Sequence, residues 1–271
     1  MTRRELVDQI TKKQSFLCVG LDPDLSRLPK FFLDYPDPVF EFNKRIIDAT
    51  KDFCVAYKPN VAFYEALGTG GWQALAKTLD YIPDTHFSIA DAKRGDIGNT
   101  SRLYATTFFQ TFDFDAVTIA PYMGADSVKP FLEFEDKWVI LLGLTSNVGS
   151  IDFQFFQSKD GRRLYEQVFE TASQWGGPDQ LMFVAGATQA DHLEQIRSIV
   201  PDHFLLVPGV GSQGGDLEAV FRKGSNEEVG LLVNASRSII FAGTEEETFN
   251  EYVAAAAQNL QLQMQGFMSF A

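Results

Sequence analysis

Eight short apolar runs, separated by helix-like segments, constrain this sequence more than any other feature. They read FLCVGLD (16–22), FCVAYKP (53–59), FSIADAK (87–93), AVTIAP (116–121), WVILLGL (138–144), LMFVAG (181–186), FLLVPG (204–209) and GLLVNAS (230–236). Each is continuous rather than alternating and gives way to small, polar or charged residues. That is the pattern of parallel strands buried on both faces and ending in functional loops. The segments between them, such as VFEFNKRIIDATK, WQALAKTLDYI, TSRLYATTFFQTF, DGRRLYEQVFETASQW, QADHLEQIRSIV and GDLEAVFRKG, read as helices. Eight strands alternating with helices favour a closed barrel over an open doubly wound sheet, which usually has fewer strands and a Gly-rich turn after the first. No such turn follows the first run, and the one GxG, Gly209 to Gly211, comes after the seventh. The expected fold is therefore α/β, a single (β/α)8 TIM barrel domain over residues 1–271. A short extra helix precedes the first strand, and EEETFNEYVAAAAQNLQLQMQ supplies a long C-terminal one. The long loop DPDLSRLPKFFLDYPDP after the first strand is either a lid or an insertion.

Charge narrows the partners. With 23 Lys and Arg against 36 Asp and Glu, the formal net charge is -13, a field that repels phosphate backbones and anionic headgroups. Nucleic acid and membrane partners are not expected. The N-terminal MTRRELVDQITKKQ lacks the apolar core of a secretion signal, and no stretch reaches the roughly 18 apolar residues of a membrane span. Cytoplasmic localisation is the expectation. Cys18 and Cys54 each sit inside an apolar run with no disulfide framework and no metal-ligand spacing, and read as buried free thiols. His86, His192 and His203 show no paired spacing and read as solvated or capping residues. The 25 Phe residues read as aromatic core filling. The acidic run Glu245 to Glu247 opens the final helix, where negative charge suits the helix dipole.

In a barrel of this kind the chemistry lies at the C-terminal ends of the strands. The third run ends in Asp91 and Lys93, two apart and so on one face of a strand, with Asp96 beyond its end. The first run ends in Asp22 and the second carries Lys58. Strands one to three thus offer an alternating row of acids and bases around one mouth. Such charges are costly to bury without partners or purpose, although a purely structural ion pair would also account for part of the row. Opposite charges this close favour the charged forms. A fixed ammonium among carboxylates suits proton donation to a carbanion and not Schiff-base chemistry, which needs a neutral amine. Across the mouth, VPGVGSQGGD after strand seven and NASRSII after strand eight bring Gly-rich amides and Arg237 to the loops where barrels commonly bind phosphate. These glycines could equally make tight turns alone. Ser146, in TSN after strand five, either bonds a polar ligand or satisfies a loop turn, and no GxSxG surrounds it.

DAKRGDIGNT, with Asp-x-Lys-x-x-Asp-Ile and a Thr three residues after the Ile, resembles the signature of the orotidine 5′-phosphate decarboxylase family. Asp22, Lys58, TSN, PGVGSQGGD and SRS extend the likeness along the chain, and the form DAKRGDI is similar to the longer bacterial branch. The chain departs from the pattern in the long loop after strand one and in VGSIDFQFFQSKDG, which leaves the lid contacts to phosphate open. The resemblance implies cofactor-free decarboxylation of orotidine 5′-monophosphate to uridine 5′-monophosphate and carbon dioxide, the last step of pyrimidine synthesis, with no metal. Carried over, Lys93 protonates C6, Asp91 lies against the departing carboxylate, and Lys58 and Asp22 hold the ribose and complete the charge network. Asp96, Ile97 and Thr100 come from the other subunit of a homodimer whose sites are shared. Ser146 bonds the pyrimidine and Pro208 lines the base pocket. Gln213 and Arg237, with amides near Gly211 and Ser236, grip the phosphate.

Two other readings compete. A magnesium-dependent decarboxylase or aldolase for sugar phosphates shares the Asp-x-Lys-x-x-Asp core but carries a metal-binding Glu where this chain has Lys58, and a cation there repels magnesium. A catalytically silent barrel that only binds a nucleotide or sugar phosphate has no need to bury four charges of both signs.

Overall fold

The computed structural model describes residues 1–210 and 215–269. Eight parallel strands hydrogen-bond in sequence order into a closed barrel. They are β1 (Leu17–Leu21), β2 (Ala56–Pro59), β3 (Phe87–Arg94), β4 (Ala116–Ile119), β5 (Trp138–Leu144), β6 (Leu181–Ala185), β7 (Leu205–Pro208) and β8 (Leu231–Ala235). All eight fall on the apolar runs. β1, β2, β4, β6 and β8 are buried at every position, which is why those runs show no alternation: both faces are covered. A helix, Arg3–Lys13, precedes β1, and the long helix Phe249–Met268 closes the chain.

The chain clusters into two compact units, one of 4–92 with 234–271 and one of 1–3 with 93–233. In the first, β1 and β2 pair Gly20 with Lys58, β2 and β3 pair Tyr57 with Ser88, and a further bridge joins Asn60 to Asp91. In the second, β5 and β6 slip register between Leu142 and Leu144. Gly143 sits at that slip because a Cβ there would lie 2.3 Å from the Phe169 ring.

The loop after β1 is an insertion packed into the core. Its turn Lys30–Asp34 drives Phe32 to full burial, with ring centroids 5.2 Å from Phe42 and 5.0 Å from Phe249. Arg45 lies over the rings of Phe31, Phe32 and Tyr35. Much of the phenylalanine content is explained this way, in clusters between helices. A second cluster gathers Phe109, Phe131 and Phe134.

Several sequence expectations need correction. The final helix starts at Phe249, not at the acidic run. Glu246 instead pairs with Arg45 at 3.0 Å and accepts the Tyr35 hydroxyl at 3.1 Å. Residues 158–161 form a turn, Arg163 bridges back to Gln157, and the helix there is Leu164–Ala172, begun by Glu166 folding back on the Arg163 amide. The segment 100–112 ends in a wider π turn, Thr107–Thr111. His86 and His203 are buried rather than solvated; His86 sits 2.7 Å from Lys13 Nζ and 2.8 Å from the Lys51 carbonyl. Both cysteines are free and buried, as expected, and burial pushes the Cys54 thiol up to about 11. No helix among the described residues is long and apolar enough to cross a membrane.

Candidate active site

Parallel strands in register carry neighbouring residues to one rim, and here they bring together Asp22 just after β1, Lys58 near the end of β2 and Asp91 in the second half of β3. Lys58 is 4% exposed and its Nζ lies 2.7 Å from Asp91 Oδ2. Burial alone would push this ammonium down. Asp91 and Asp22 outweigh that and hold it above the ordinary lysine value. Removing one partner of such a pair strands the other charge, at a cost of about 3–5 kcal/mol.

Asp22 is held from the opposite side. Its Oδ2 accepts the Ser236 hydroxyl at 2.6 Å, while Oδ1 is buried with no partner among the described residues. A buried carboxylate oxygen left unpaired is unfavourable by about 1–3 kcal/mol, so this atom is a ready acceptor for a ligand hydroxyl. Ser236 reaches Asp22 because β1 carries Gly20 beneath it; a Cβ on Gly20 would fall 2.7 Å from Ser236 Cβ. The sequence reading placed Ser236 at the site for its amide and missed the hydroxyl contact, which depends on the spatial neighbourhood of β1 and β8.

Lys93 lies on β3 two residues beyond Asp91, but the two-residue alternation does not carry through. Its φ is +48°, in the left-handed region, and its side chain is exposed at the end of the strand. Asp96 follows the strand and accepts the amide of Ile97 at 2.8 Å. Ile97 is 52% exposed and precedes the helix Gly98–Thr106, whose first turn carries an exposed Thr100.

Ser146, after β5, is half-buried, and its carbonyl accepts the Thr188 hydroxyl at 3.2 Å. Gln154 braces this turn: its Oε1 accepts the Thr145 amide at 2.8 Å and its Nε2 donates to Thr145 Oγ1 at 2.8 Å. Sequence reasoning missed Gln154; a lone amide in the aromatic stretch 153–156 was the available signal. Pro208 ends β7 half-buried. Beyond it the Gly215 amide donates to the Gly209 carbonyl at 3.1 Å, closing the neck of the loop. Gly211 and Gln213, expected at the phosphate, lie outside the described residues. Arg237 is exposed at the start of the short helix Arg237–Ile240 after β8. Among the described residues, no group of three or more His, Cys, Asp or Glu is placed to hold a metal ion.

Comparison with known proteins agrees with this fold. The sequence model of the orotidine 5′-phosphate decarboxylase / HUMPS family matches residues 15–252. The orotidine 5′-phosphate decarboxylase of Christiangramia forsetii is 57% identical over 268 residues, covering 97% of each chain. That of Bacteroides fragilis is 55% identical over 267 residues, again covering 97% of each. Among solved structures, OMP decarboxylase from Leishmania donovani superposes with a TM-score of 0.86 at 36% identity, over 100% of both chains. An eight-stranded barrel with a buried Lys58–Asp91 pair at its mouth, matched along nearly its whole length by these proteins, belongs to the orotidine 5′-phosphate decarboxylase family.

Proposed function

We propose that this chain decarboxylates orotidine 5′-monophosphate to uridine 5′-monophosphate and carbon dioxide, with residues 1–271 acting as one catalytic barrel and without a cofactor. The observation that carries this reading is the buried Lys58–Asp91 pair, with the open oxygen of Asp22 nearby. It supplies fixed charge of both signs shielded from solvent, where preorganised charge is worth far more than in water.

In this mechanism the bond between C6 and the carboxylate carbon breaks and its electron pair stays on C6 as carbon dioxide leaves. The Lys93 ammonium then gives C6 a proton. The neutral amine regains one from solvent, to which its exposed position gives access. Asp91 lies against the departing carboxylate and fixes Lys58. Asp22 Oδ1 accepts a ribose hydroxyl and shares the sugar with Lys58. Ser146 bonds the pyrimidine and Pro208 lines its pocket, while Arg237, Gln213 and amides near Gly211 and Ser236 hold the phosphate. Binding energy from that remote phosphate goes into orienting and desolvating the reacting end.

The catalytic unit is a homodimer in the cytoplasm. Asp96, Ile97 and Thr100 reach the second subunit's site. Half-exposed Ile97 supports this, as does an apolar cleft of about 400 Å³ lined by Pro23, Leu25, Ala62, Phe63 and Leu67 immediately after Asp22. The magnesium-dependent sugar-phosphate alternative is disfavoured by Lys58, a cation where its metal ligand belongs. A silent phosphate-binding barrel is disfavoured by the desolvation that the buried pair must overcome.

The test is direct. Folded protein mixed with orotidine 5′-monophosphate is expected to bleach the orotate ultraviolet absorbance. No change over a long incubation would overturn the reading.

A further inference from the structure

Lys93 is one of five non-glycine residues with positive φ among the described residues, and the one at the candidate reacting centre. A left-handed conformation is unfavourable for a residue with a Cβ, and it persists only where the surroundings over-determine it. What holds it here comes from β4. The Lys93 amide, which a regular parallel ladder would give to a backbone carbonyl, donates to Thr118 Oγ1 at 2.9 Å. One residue on, the ladder resumes, with the Ala120 amide donating to the Arg94 carbonyl at 2.8 Å. The backbone is therefore tied to β4 on either side of the turn, at the peptide unit before Lys93 by a side chain and at the one after Arg94 by the backbone. Thr118 is 1% exposed, and its β-branched side chain has few rotamers, so its hydroxyl is a fixed point.

We propose that Thr118 is a positioning residue for the decarboxylation: its hydroxyl holds the turn at Lys93 that aims the ammonium at C6. The inference rests on Lys93 as the proton donor. A proton transfer is sensitive to donor placement at the ångström scale. Ground-state binding of the nucleotide draws on residues elsewhere around the mouth. Losing the Thr118 hydroxyl should therefore lower kcat and leave affinity alone.

The experiment compares Thr118→Val, which keeps the shape without the acceptor, with Thr118→Ser, which keeps the acceptor. Expected for Thr118→Val is a fall in kcat of about tenfold or more, with affinity for uridine 5′-monophosphate within about twofold of the parent; Thr118→Ser should restore most of the rate. If Thr118→Val does not fold, Thr118→Ala against Thr118→Ser isolates the hydroxyl, since both lack the γ-methyl. A kcat within about twofold of the parent in the variant lacking the hydroxyl overturns the proposal, as does a loss of rate that Thr118→Ser fails to restore. Lys93→Ala is run alongside. Turnover in that variant would remove the proton-donor reading itself, whereas an inactive Lys93→Ala beside a fully active Thr118→Val removes only the role given to Thr118.

Discussion

The Ser236 hydroxyl donates to Asp22 Oδ2 at 2.6 Å, and this bond fixes which carboxylate oxygen is left for a ligand. Oδ1 remains buried and unpartnered among the described residues, beside a Lys58 whose charge Asp22 helps to sustain. Ser236→Ala keeps the backbone amide and frees the carboxylate to turn. Expected is a rise in KM of about tenfold, the scale of one hydrogen bond to a charged group, with a smaller change in kcat. The same substitution should matter little for a substrate lacking the ribose hydroxyl that Asp22 accepts. Steady-state kinetics on the two substrates would expose the error if both lost equally.

Binding and chemistry should separate between Arg237 and Lys93. The phosphate contact proposed for Arg237 would be present in ground and transition states alike, so Arg237→Ala should chiefly weaken substrate affinity. Lys93 acts on charge that develops only during reaction, so Lys93→Ala should abolish turnover and still bind uridine 5′-monophosphate. Calorimetric titration with the product, beside a turnover assay, checks both. Near-normal turnover by Lys93→Ala would contradict the assignment.

The proposed shared sites make a quantitative statement about mixtures. When inactive Lys93→Ala and Asp96→Ala proteins exchange subunits, a mixed dimer contains one site with both residues intact and one with both lesions. Random 1:1 mixing makes about half the dimers mixed, so roughly a quarter of the parent activity should return. Native mass spectrometry would verify exchange. Activity that stays at the level of the separate variants would mean that Asp96 serves its own chain.

His86 makes acid stability measurable. Burial pushes this imidazole down to about 4, and the Lys13 ammonium 2.7 Å away adds to the effect. Thr85, the Lys51 carbonyl, the Tyr57 ring and Asp52 also face it. The unfolded chain takes up its proton near pH 6.5 and the folded one only near 4, so stability is present above about 6.5 and falls as pH drops toward 4. The most this group can contribute is on the order of 3 kcal/mol. His192 and His203 shift the same way, so His86→Asn should flatten the slope of Tm against pH over that window without abolishing it. An unchanged slope would rule out His86 as a source.

The barrel was legible because continuous apolar runs are what doubly covered parallel strands require, and all eight landed on strands. Asp22, Lys58 and Asp91 were legible as a group because register carries strand ends to one rim. Lys93 was found by its place in the motif, yet period-two reasoning gave it the wrong geometry, since nothing in the local sequence announces a left-handed lysine held by a side chain on β4. The Ser236 hydroxyl and Gln154 were missed for the same reason: their partners, Asp22 and Thr145, are set by folding. The buried His86 was misjudged from the polar Asp84 and Thr85 before it, while its neighbours in space are Tyr57, Lys13 and a helix end.

Phe32, in the loop that begins at Asp22, lies against Phe249, the first residue of the final helix. The family match stops at residue 252, one turn into that helix. Val253, Ala257 and Met264, the buried face that seats the helix, all lie beyond it. A chain trimmed at 252 would keep every residue assigned to the reaction and lose the helix face that seats Phe249 against Phe32, in the loop that follows the carboxylate proposed for the sugar. Damage at the far C-terminus, by protease or premature stop, should therefore be felt first as weaker nucleotide binding.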